Sequence, residues 1–102
     1  MGEKLEELAK VFAALGNPER LAIVAHLLVK KRQNCTQLAQ ELRLSTPALS
    51  YHLRILEEAG LVVREKRGRR RCLRVGPTLG KVLRPGVVTE LRKEGINDAR
   101  AA

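Results

Sequence analysis

The segment STPALSYHLRILEEAGLV, residues 45–62, carries hydroxyl-bearing and small side chains at one end of a predicted helix. Hydroxyls of serine, threonine and tyrosine can donate hydrogen bonds to base edges or accept them, and an alanine methyl can contact the methyl of thymine. Leu49, Leu53 and Leu56 recur at helical spacing and form the predicted buried stripe. The polar residues of the first half should therefore lie on the other side, where they could reach base pairs.

A second polar cluster follows in REKRGRRR, residues 64–71, which is almost wholly basic. Arginines at a hairpin tip suit phosphates or a narrow minor groove, and Arg54, about one turn beyond Ser50 and Tyr51, is placed for a phosphate. His52, in contrast, is expected to pack or cap rather than to contact DNA. The predicted DNA contacts are Thr36, Gln37, Thr46, Pro47, Ala48, Ser50, Tyr51, Arg54, Lys66, Arg67, Arg69 and Arg70.

Length and composition fit one small domain, residues 1–102, that binds a polyanion. The chain has 20 lysines and arginines against 11 acidic residues, which gives a net charge of +9. Such a balance makes nucleic acid and anionic membrane the first candidates. One Tyr, one Phe and no Trp argue against the aromatic platforms that stack single-stranded bases.

Features of the whole chain favour the cytoplasm. Two cysteines are too few for the disulfide framework of a small secreted protein. The first residues, MGEKLEELAKVF, are charged and amphipathic, so we expect no signal peptide. No apolar run approaches the length that spans a bilayer. We therefore expect a cytoplasmic protein without a membrane partner.

The apolar spacing predicts four helices before residue 60. The first covers residues 3–15, and the second starts at Pro18 after an Asn17 cap. The third and fourth cover about 36–43 and 46–58. The turn between those two is very short, which is typical of a helix-turn-helix unit.

Beyond Gly60 the hydrophobic period shortens to that of a strand. LVVREKRGRRRCLRV predicts a strand, a turn at Gly68 and a second strand. A final helix follows, bent or interrupted at Pro85-Gly86. The predicted fold class is mainly α with a small β-hairpin, a winged helix-turn-helix of about five helices and a β wing. The hairpin residues expected to face the same way are Leu61, Val63, Leu73 and Val75.

Three segments together carry a family resemblance: ALGNPERLAIVAHLL, TQLAQELRLSTPALSYHLRILEEAGLV and REKRGRRRCLRV. They resemble the winged helix-turn-helix repressors of the ArsR type, in the same order and spacing, over roughly residues 5–76. The resemblance implies a homodimer built from the first and last helices. It also implies binding to a palindromic operator and repression that an effector relieves.

The residues support dimer formation independently, because the first and last helices carry more apolar surface than so small a core needs. The predicted dimer interface consists of Leu5, Leu8, Phe12, Val82, Val87, Val88 and Leu91.

Metal sites familiar in this family use a cysteine pair near the third helix, or Asp and His residues on the last helix. This chain has only Cys35 near the third helix, and its final helix contains neither His nor Cys. We therefore expect no metal site of the family type and no cofactor.

The two cysteines leave an alternative open. Cys35 precedes the third helix and Cys72 lies on a wing strand, so the two thiols could approach each other and act as a redox switch. The simpler interpretation is that Cys35 is a small buried hydrophobic residue and Cys72 an exposed thiol.

The predicted function is therefore a sequence-specific, dimeric DNA-binding regulator of transcription, most simply a repressor. Its partner is double-stranded DNA. The alternatives are a winged-helix protein that binds nucleic acid without sequence preference, a thiol-responsive repressor, and an interaction module whose basic wing binds an acidic protein. An enzyme is not expected, because no nucleophile-base arrangement, phosphate loop or pair of catalytic carboxylates is recognisable.

Overall fold

A computed structural model of the chain describes residues 2–97, which form six helices and one antiparallel hairpin. The helices of the first half begin and end within about one residue of the predicted bounds. None of the helices in residues 2–97 is long and apolar enough to cross a membrane. The elements are α1 Glu3–Leu15, α2 Pro18–Val29, α3 Cys35–Leu42, α4 Thr46–Glu58, β1 Val62–Arg67, β2 Arg70–Val75, α5 Thr78–Val82 and α6 Pro85–Asn97.

Side-chain caps start α2, α3 and α4. The Asn17 side chain accepts a hydrogen bond from the Arg20 backbone nitrogen at 3.1 Å, and the Ser45 hydroxyl accepts one from the Ala48 backbone nitrogen at 3.2 Å. Asn34 shares a reciprocal capping box with the third residue of α3. Each cap satisfies a backbone donor that the helix itself leaves open, and so fixes where the helix begins.

The turn between α3 and α4 consists of Arg43, Leu44 and Ser45. Arg43 has a left-handed backbone with φ of 55°, and the Leu44 backbone nitrogen donates to the Ala39 carbonyl at 3.0 Å. This αL termination reverses the chain at once, although it costs a residue other than glycine about 1–2 kcal/mol. The sharp turn brings α3 and α4 together as a helix-turn-helix pair.

The core lies around α2, whose residues 23–27 are all buried. The helices α3, α4 and α6 and the strand β2 pack against this helix, as the wide apolar face of the second predicted helix indicates. The α4 stripe at positions 49, 53 and 56 is buried as predicted. The largest fully buried side chains are Ile23, Val24, Leu27, Leu38, Leu42, Leu49, Leu53, Leu56, Leu61, Val62, Leu73 and Leu79.

The wing, residues 62–75, differs from its predicted register by one residue. Val62 pairs with Val75, so Val62 shares a face with Leu73 and Val75, and is only 2% exposed. The expectation that Val63 shares this face was wrong. The reason is that Leu61, just beyond α4, is still bonded to that helix through its backbone nitrogen, which donates to the Leu56 carbonyl at 2.9 Å. The strand alternation therefore starts one residue later.

The predicted interruption of the last helix is confirmed. Leu83 has an extended backbone that ends α5, and Pro85 begins α6. Since a proline disfavours helical geometry in the preceding residue and lacks a backbone donor, Arg84 cannot continue the first helix into the second. Residues 2–97 therefore contain six helices where about five were expected for the chain.

Candidate nucleic-acid interface

The helix α4 presents a reading face, which we define as its exposed residues Thr46, Pro47, Ser50, Tyr51 and Arg54. Opposite this face, the leucine stripe of α4 is buried in the core. Five of the predicted α4 contacts thus lie on one exposed surface, whereas Ala48 is half-buried. The backbone donors of the first turn and the positive end of the helix dipole point the same way and favour an anionic partner.

His52 lies behind the reading face and is half-buried. Its ring meets the Tyr51 ring edge to face, with 5.3 Å between the centroids. Burial, followed by the positive charge of Arg20, lowers the pKa of His52 below its ordinary value of 6.5, although Glu19 opposes this shift. The packing role expected for His52 agrees with these contacts, since the imidazole is kept neutral inside the protein.

The start of α3 adds Thr36 and Gln37, both exposed. Gln37 also has a structural task, because its side-chain oxygen accepts a hydrogen bond from the Asn34 backbone nitrogen at 3.3 Å. A shallow groove joins this end of α3 to the start of α4, and Arg43 and Thr46 line it. Arg43 was absent from the predicted contacts, although a cation in a helix-helix turn could have indicated it.

The wing tip carries the predicted cations Lys66, Arg67, Arg69 and Arg70, all exposed. Lys66, Arg69, Arg70 and the adjacent Arg71 form no ion pair with the part of the chain that the structure describes. Their charges are therefore available to an external anion, and Arg71 joins the set that the sequence indicated.

Other wing arginines are held internally. Glu65 pairs with Arg74, lies 3.5 Å from Arg32, and is 3.9 Å from Arg67. The hydrogen bond from Arg74 lowers the pKa of Glu65, so this carboxylate stays ionised. Arg64 pairs with Glu57 of α4. Arg64 and Arg74 thus hold the base of the wing, whereas Lys66, Arg69, Arg70 and Arg71 remain unpaired with the described residues at its tip.

A polar cluster anchors the wing to the helices. The backbone of Gln33 exchanges two hydrogen bonds with Leu73, with nitrogen–oxygen distances of 3.2 and 2.7 Å. The Gln33 side chain donates to Glu41 at 2.8 Å, and Glu41 also pairs with Lys30 and with the buried His26. The wing strand, the end of α2 and α3 are thereby linked. Nothing in the sequence distinguished Gln33 from an ordinary loop residue.

The ionisation of Glu41 depends on these partners. Burial acts to raise the pKa of Glu41, but hydrogen bonds from Lys30 and Gln33 and the charge of Lys30 lower it below its ordinary value of 4.5. The carboxylate is therefore ionised at neutral pH and accepts from the surrounding donors. The Gln33 side-chain oxygen is buried and has no hydrogen-bond partner among residues 2–97.

Both cysteines are half-buried, so Cys35 is less buried and Cys72 less exposed than expected, and neither is in a disulfide. Cys35 is the first residue of α3 and packs against the core, and Cys72 lies opposite Glu65 in the wing. Within residues 2–97, no group of three or more His, Cys, Asp or Glu side chains could hold a metal ion.

The predicted dimer residues are partly exposed. Leu5 and Phe12 on α1 are each 56% exposed, and Val87 on α6 is 46% exposed. Ile96, which the sequence did not single out, is 63% exposed on the same helix as Val87. The other predicted interface residues, all half-buried, are Leu8, Val82, Val88 and Leu91.

The segment from the end of α1 into β1, residues 15–65, matches a family model described as a helix-turn-helix domain. Mb0332 from Mycobacterium bovis, a homodimeric winged helix-turn-helix DNA-binding domain and possible ArsR-family regulator, is similar with a TM-score of 0.70. The identity is 26%, over 88% of this chain and 82% of that one. An ArsR-like transcriptional regulator from Rhodococcus sp. RHA1 is similar with a TM-score of 0.68 and 35% identity, over 95% and 85% of the two chains. The chain belongs to the ArsR-type winged helix-turn-helix family.

Curated relatives of this ArsR-type chain are transcriptional regulators. The HTH-type transcriptional regulator MJ1325 of Methanocaldococcus jannaschii is 40% identical over 67 residues, which cover 65% of this chain and 74% of that protein. The HTH-type transcriptional repressor SmtB of Mycobacterium tuberculosis is 38% identical over 68 residues, which cover 66% of this chain but only 49% of SmtB. Because regulators of this family are not enzymes, the prediction of a non-enzymatic protein is confirmed.

Proposed function

We propose that this ArsR-type regulator is a dimeric repressor that binds a palindromic DNA duplex. The observation that carries the proposal is that α4 has an exposed reading face opposite a buried leucine stripe, and that unpaired cations lie at the tip of the wing. The first could supply contacts to base edges in the major groove, and the second could neutralise phosphates beside the same groove.

Each part of the interface has its own proposed task. Thr46, Ser50 and Tyr51 donate to or accept from base edges, and Ala48 approaches a thymine methyl. Thr36, Gln37, Pro47 and Arg54 lie at the edges of this contact, with Arg54 and the additional Arg43 on phosphates. The wing residues Lys66, Arg67, Arg69, Arg70 and Arg71 contact phosphates or a narrow minor groove.

Dimer formation is proposed through α1 and α6. Both helices expose large apolar side chains, and such surface is favourable to bury against a second copy of the chain. The homodimeric state given for Mb0332 supports the same arrangement. A two-fold dimer presents two α4 helices, which matches a palindrome with half-sites about 34–36 Å apart. Repression, in the cytoplasm, is proposed by similarity to SmtB.

The test is selection of bound duplexes from a random pool by the full chain, followed by affinity measurements at several salt concentrations. We expect a palindrome that binds about 10³-fold or more tightly than a scrambled duplex. Equal affinity for all duplexes would contradict this function and favour an architectural protein. No binding to any duplex at modest salt would instead favour interaction with an acidic protein.

The selection is repeated with thiol oxidants and with divalent metals. Loss of binding on oxidation that a Cys72→Ser variant no longer shows would support the thiol-responsive alternative through Cys35 and Cys72. An affinity for DNA that does not change on oxidation would indicate that the cysteines are packing residues without a regulatory role.

A further inference from the structure

The guanidinium of Arg20 joins three helices. Its Nε donates a hydrogen bond to the Ala14 carbonyl at 2.7 Å, and its Nη2 donates to the Ala13 carbonyl at 3.4 Å. Its Nη1 lies 3.3 Å from Nδ1 of His52 on α4. Arg20 itself belongs to the first turn of α2, where its backbone nitrogen is held by the Asn17 cap.

The contacts with α1 use the special chemistry of a helix end. Ala13 and Ala14 lie in the last turn of α1, where the dipole is negative and backbone carbonyls need partners from outside the helix, although the Ala13 carbonyl also accepts from the Gly16 backbone nitrogen at 3.3 Å. A cation placed there is favourable. The planar guanidinium can donate in several fixed directions at once, whereas a lysine ammonium is a compact charge on a flexible stem.

The contact between Arg20 and α4 specifies the protonation state and tautomer of His52. Arginine can only donate, so Nδ1 of His52 must accept, and the imidazole is neutral with its proton on Nε2. The charged and titratable groups that face this ring are Arg20 and Glu19 from α2 and Tyr51 from α4. The ring thereby connects Arg20 to Tyr51, whose side chain is 60% exposed on the reading face.

These contacts form a continuous path through the molecule. Phe12, proposed to pack against a second copy, immediately precedes Ala13. From there the path runs through Arg20 and His52 to Tyr51. The helix that would meet the partner subunit and the helix that would read DNA are thus held by one side chain.

We infer that Arg20 is a positioning residue that fixes the direction of α4 relative to α1, and so the spacing of the two reading faces in a dimer. This inference rests on the proposed function, because spacing matters only if two copies bind one duplex. A palindrome favours two correctly spaced helices, whereas a single half-site is read by one. Loosening the Arg20 contacts should therefore weaken palindrome binding specifically.

The experiment compares Arg20→Lys and His52→Leu with the unmodified chain, using Arg92→Lys, at an exposed site on α6, as the matched control. Affinities are measured for the selected palindrome, for a duplex with one half-site, and for palindromes with one base pair inserted between half-sites. We expect palindrome affinity to fall about tenfold, within the range of typical coupling between sites. Half-site affinity should change less than about twofold on the same argument, and discrimination against the inserted base pair should decline.

A second variant at position 52 tests whether the contact with Arg20 requires a hydrogen-bond acceptor on α4. His52→Asn retains an acceptor near the position of Nδ1, and we expect it to restore much of the palindrome affinity that His52→Leu loses. Circular dichroism and sedimentation verify that each variant is folded and associates like the unmodified chain.

Equal losses on the half-site and the palindrome, or no loss on either, would overturn the role of Arg20 while leaving the proposed function intact. An unmodified chain that selects no preferred duplex would overturn the proposed function, and the role of Arg20 with it. The two failures are therefore distinguishable in one set of measurements.

Discussion

Gly95 of α6 packs directly on the backbone of Ala25 in α2, so closely that a β-carbon at position 95 would overlap the Ala25 carbonyl oxygen. The same β-carbon would lie 3.0 Å from a methyl of Val29. Both Gly95 and Ala25 are buried. The absence of a side chain at position 95 therefore sets how near α6 can lie to the central helix.

The variant Gly95→Ala should destabilise the chain. An alanine normally stabilises a helix interior relative to glycine by about 1 kcal/mol, but here the steric overlap should cost about 1–3 kcal/mol and displace α6. The measurement is urea unfolding followed by circular dichroism. Gly86→Ala in the same helix is the matched control, because nothing lies within 4 Å of its added β-carbon. Equal stabilities of the two variants would contradict the tight packing.

Removal of individual hydroxyls from the reading face should relax sequence discrimination. Ser50→Ala and Tyr51→Phe each remove one hydrogen-bonding group from exposed positions of α4. We expect a decrease of about 1–3 kcal/mol in preference at one base position, with little change in affinity for random DNA. Competition binding with duplexes altered one base pair at a time measures this. A uniform decrease in affinity for all duplexes would indicate that these residues contact the DNA backbone instead of the bases.

Unpaired wing cations should control the salt dependence of binding. Replacing Arg69 and Arg70 by glutamine should weaken binding to every duplex. The slope of log affinity against log salt should become shallower by about 0.9 for each phosphate that is no longer neutralised. The matched control is Arg64→Gln, because Arg64 is already paired with Glu57. A slope that falls equally in the control variant would show that pairing within the chain does not distinguish these arginines.

The cluster around Glu41 should make stability depend on pH in the acidic range. Because its partners lower the pKa of Glu41 in the folded state, the unfolded chain binds a proton more readily. Its contribution to stability is thus present above the ordinary pKa of 4.5 and is lost as the pH falls through the folded-state pKa. Urea unfolding at several pH values in this range should show that the free energy of unfolding changes less with pH for Glu41→Gln than for the unmodified chain. Glu90→Gln, on the exposed side of α6, should retain the full change.

His52 should make stability depend on pH nearer neutrality, because folding favours the neutral form of its side chain whereas it favours the charged form of Glu41. Its neutral form is favoured in the folded protein, so its contribution is complete above the ordinary pKa of 6.5 and declines as the pH falls from that value toward the lowered folded-state pKa. Stability measured between these limits should decline more in the unmodified chain than in His52→Leu. Parallel curves for the two proteins would show that burial and Arg20 do not disfavour protonation of this ring.

Local chemistry explains why four helices were predictable from the sequence. Asn17 and Ser45 are good caps, prolines sit in the first turns of α2 and α4, and the apolar period is clear throughout. The exposed reading face follows from the same period, since burying Leu49 and Leu53 turns the intervening residues outward. The unpaired tip of the wing was likewise visible as a run of basic residues around Gly68.

Contacts between distant segments were not predictable in this way. The register of the wing depends on Leu61 remaining bonded to α4, which alternation alone cannot reveal. Gln33 meets Leu73, and Arg20 meets His52, only because the helices fold back on one another. These side chains carry no pattern along the sequence, since their partners are chosen by tertiary packing.

The division of α4 into a buried stripe and an exposed reading face also bears on how such a chain changes over generations. On the proposed function, substitutions at Thr46, Ser50 or Tyr51 should alter which sequence is bound, and they leave the interior untouched because none of these side chains is part of the core. Duplicated copies of the gene can therefore diverge toward new target sequences one residue at a time. Each intermediate along that route keeps the same buried core.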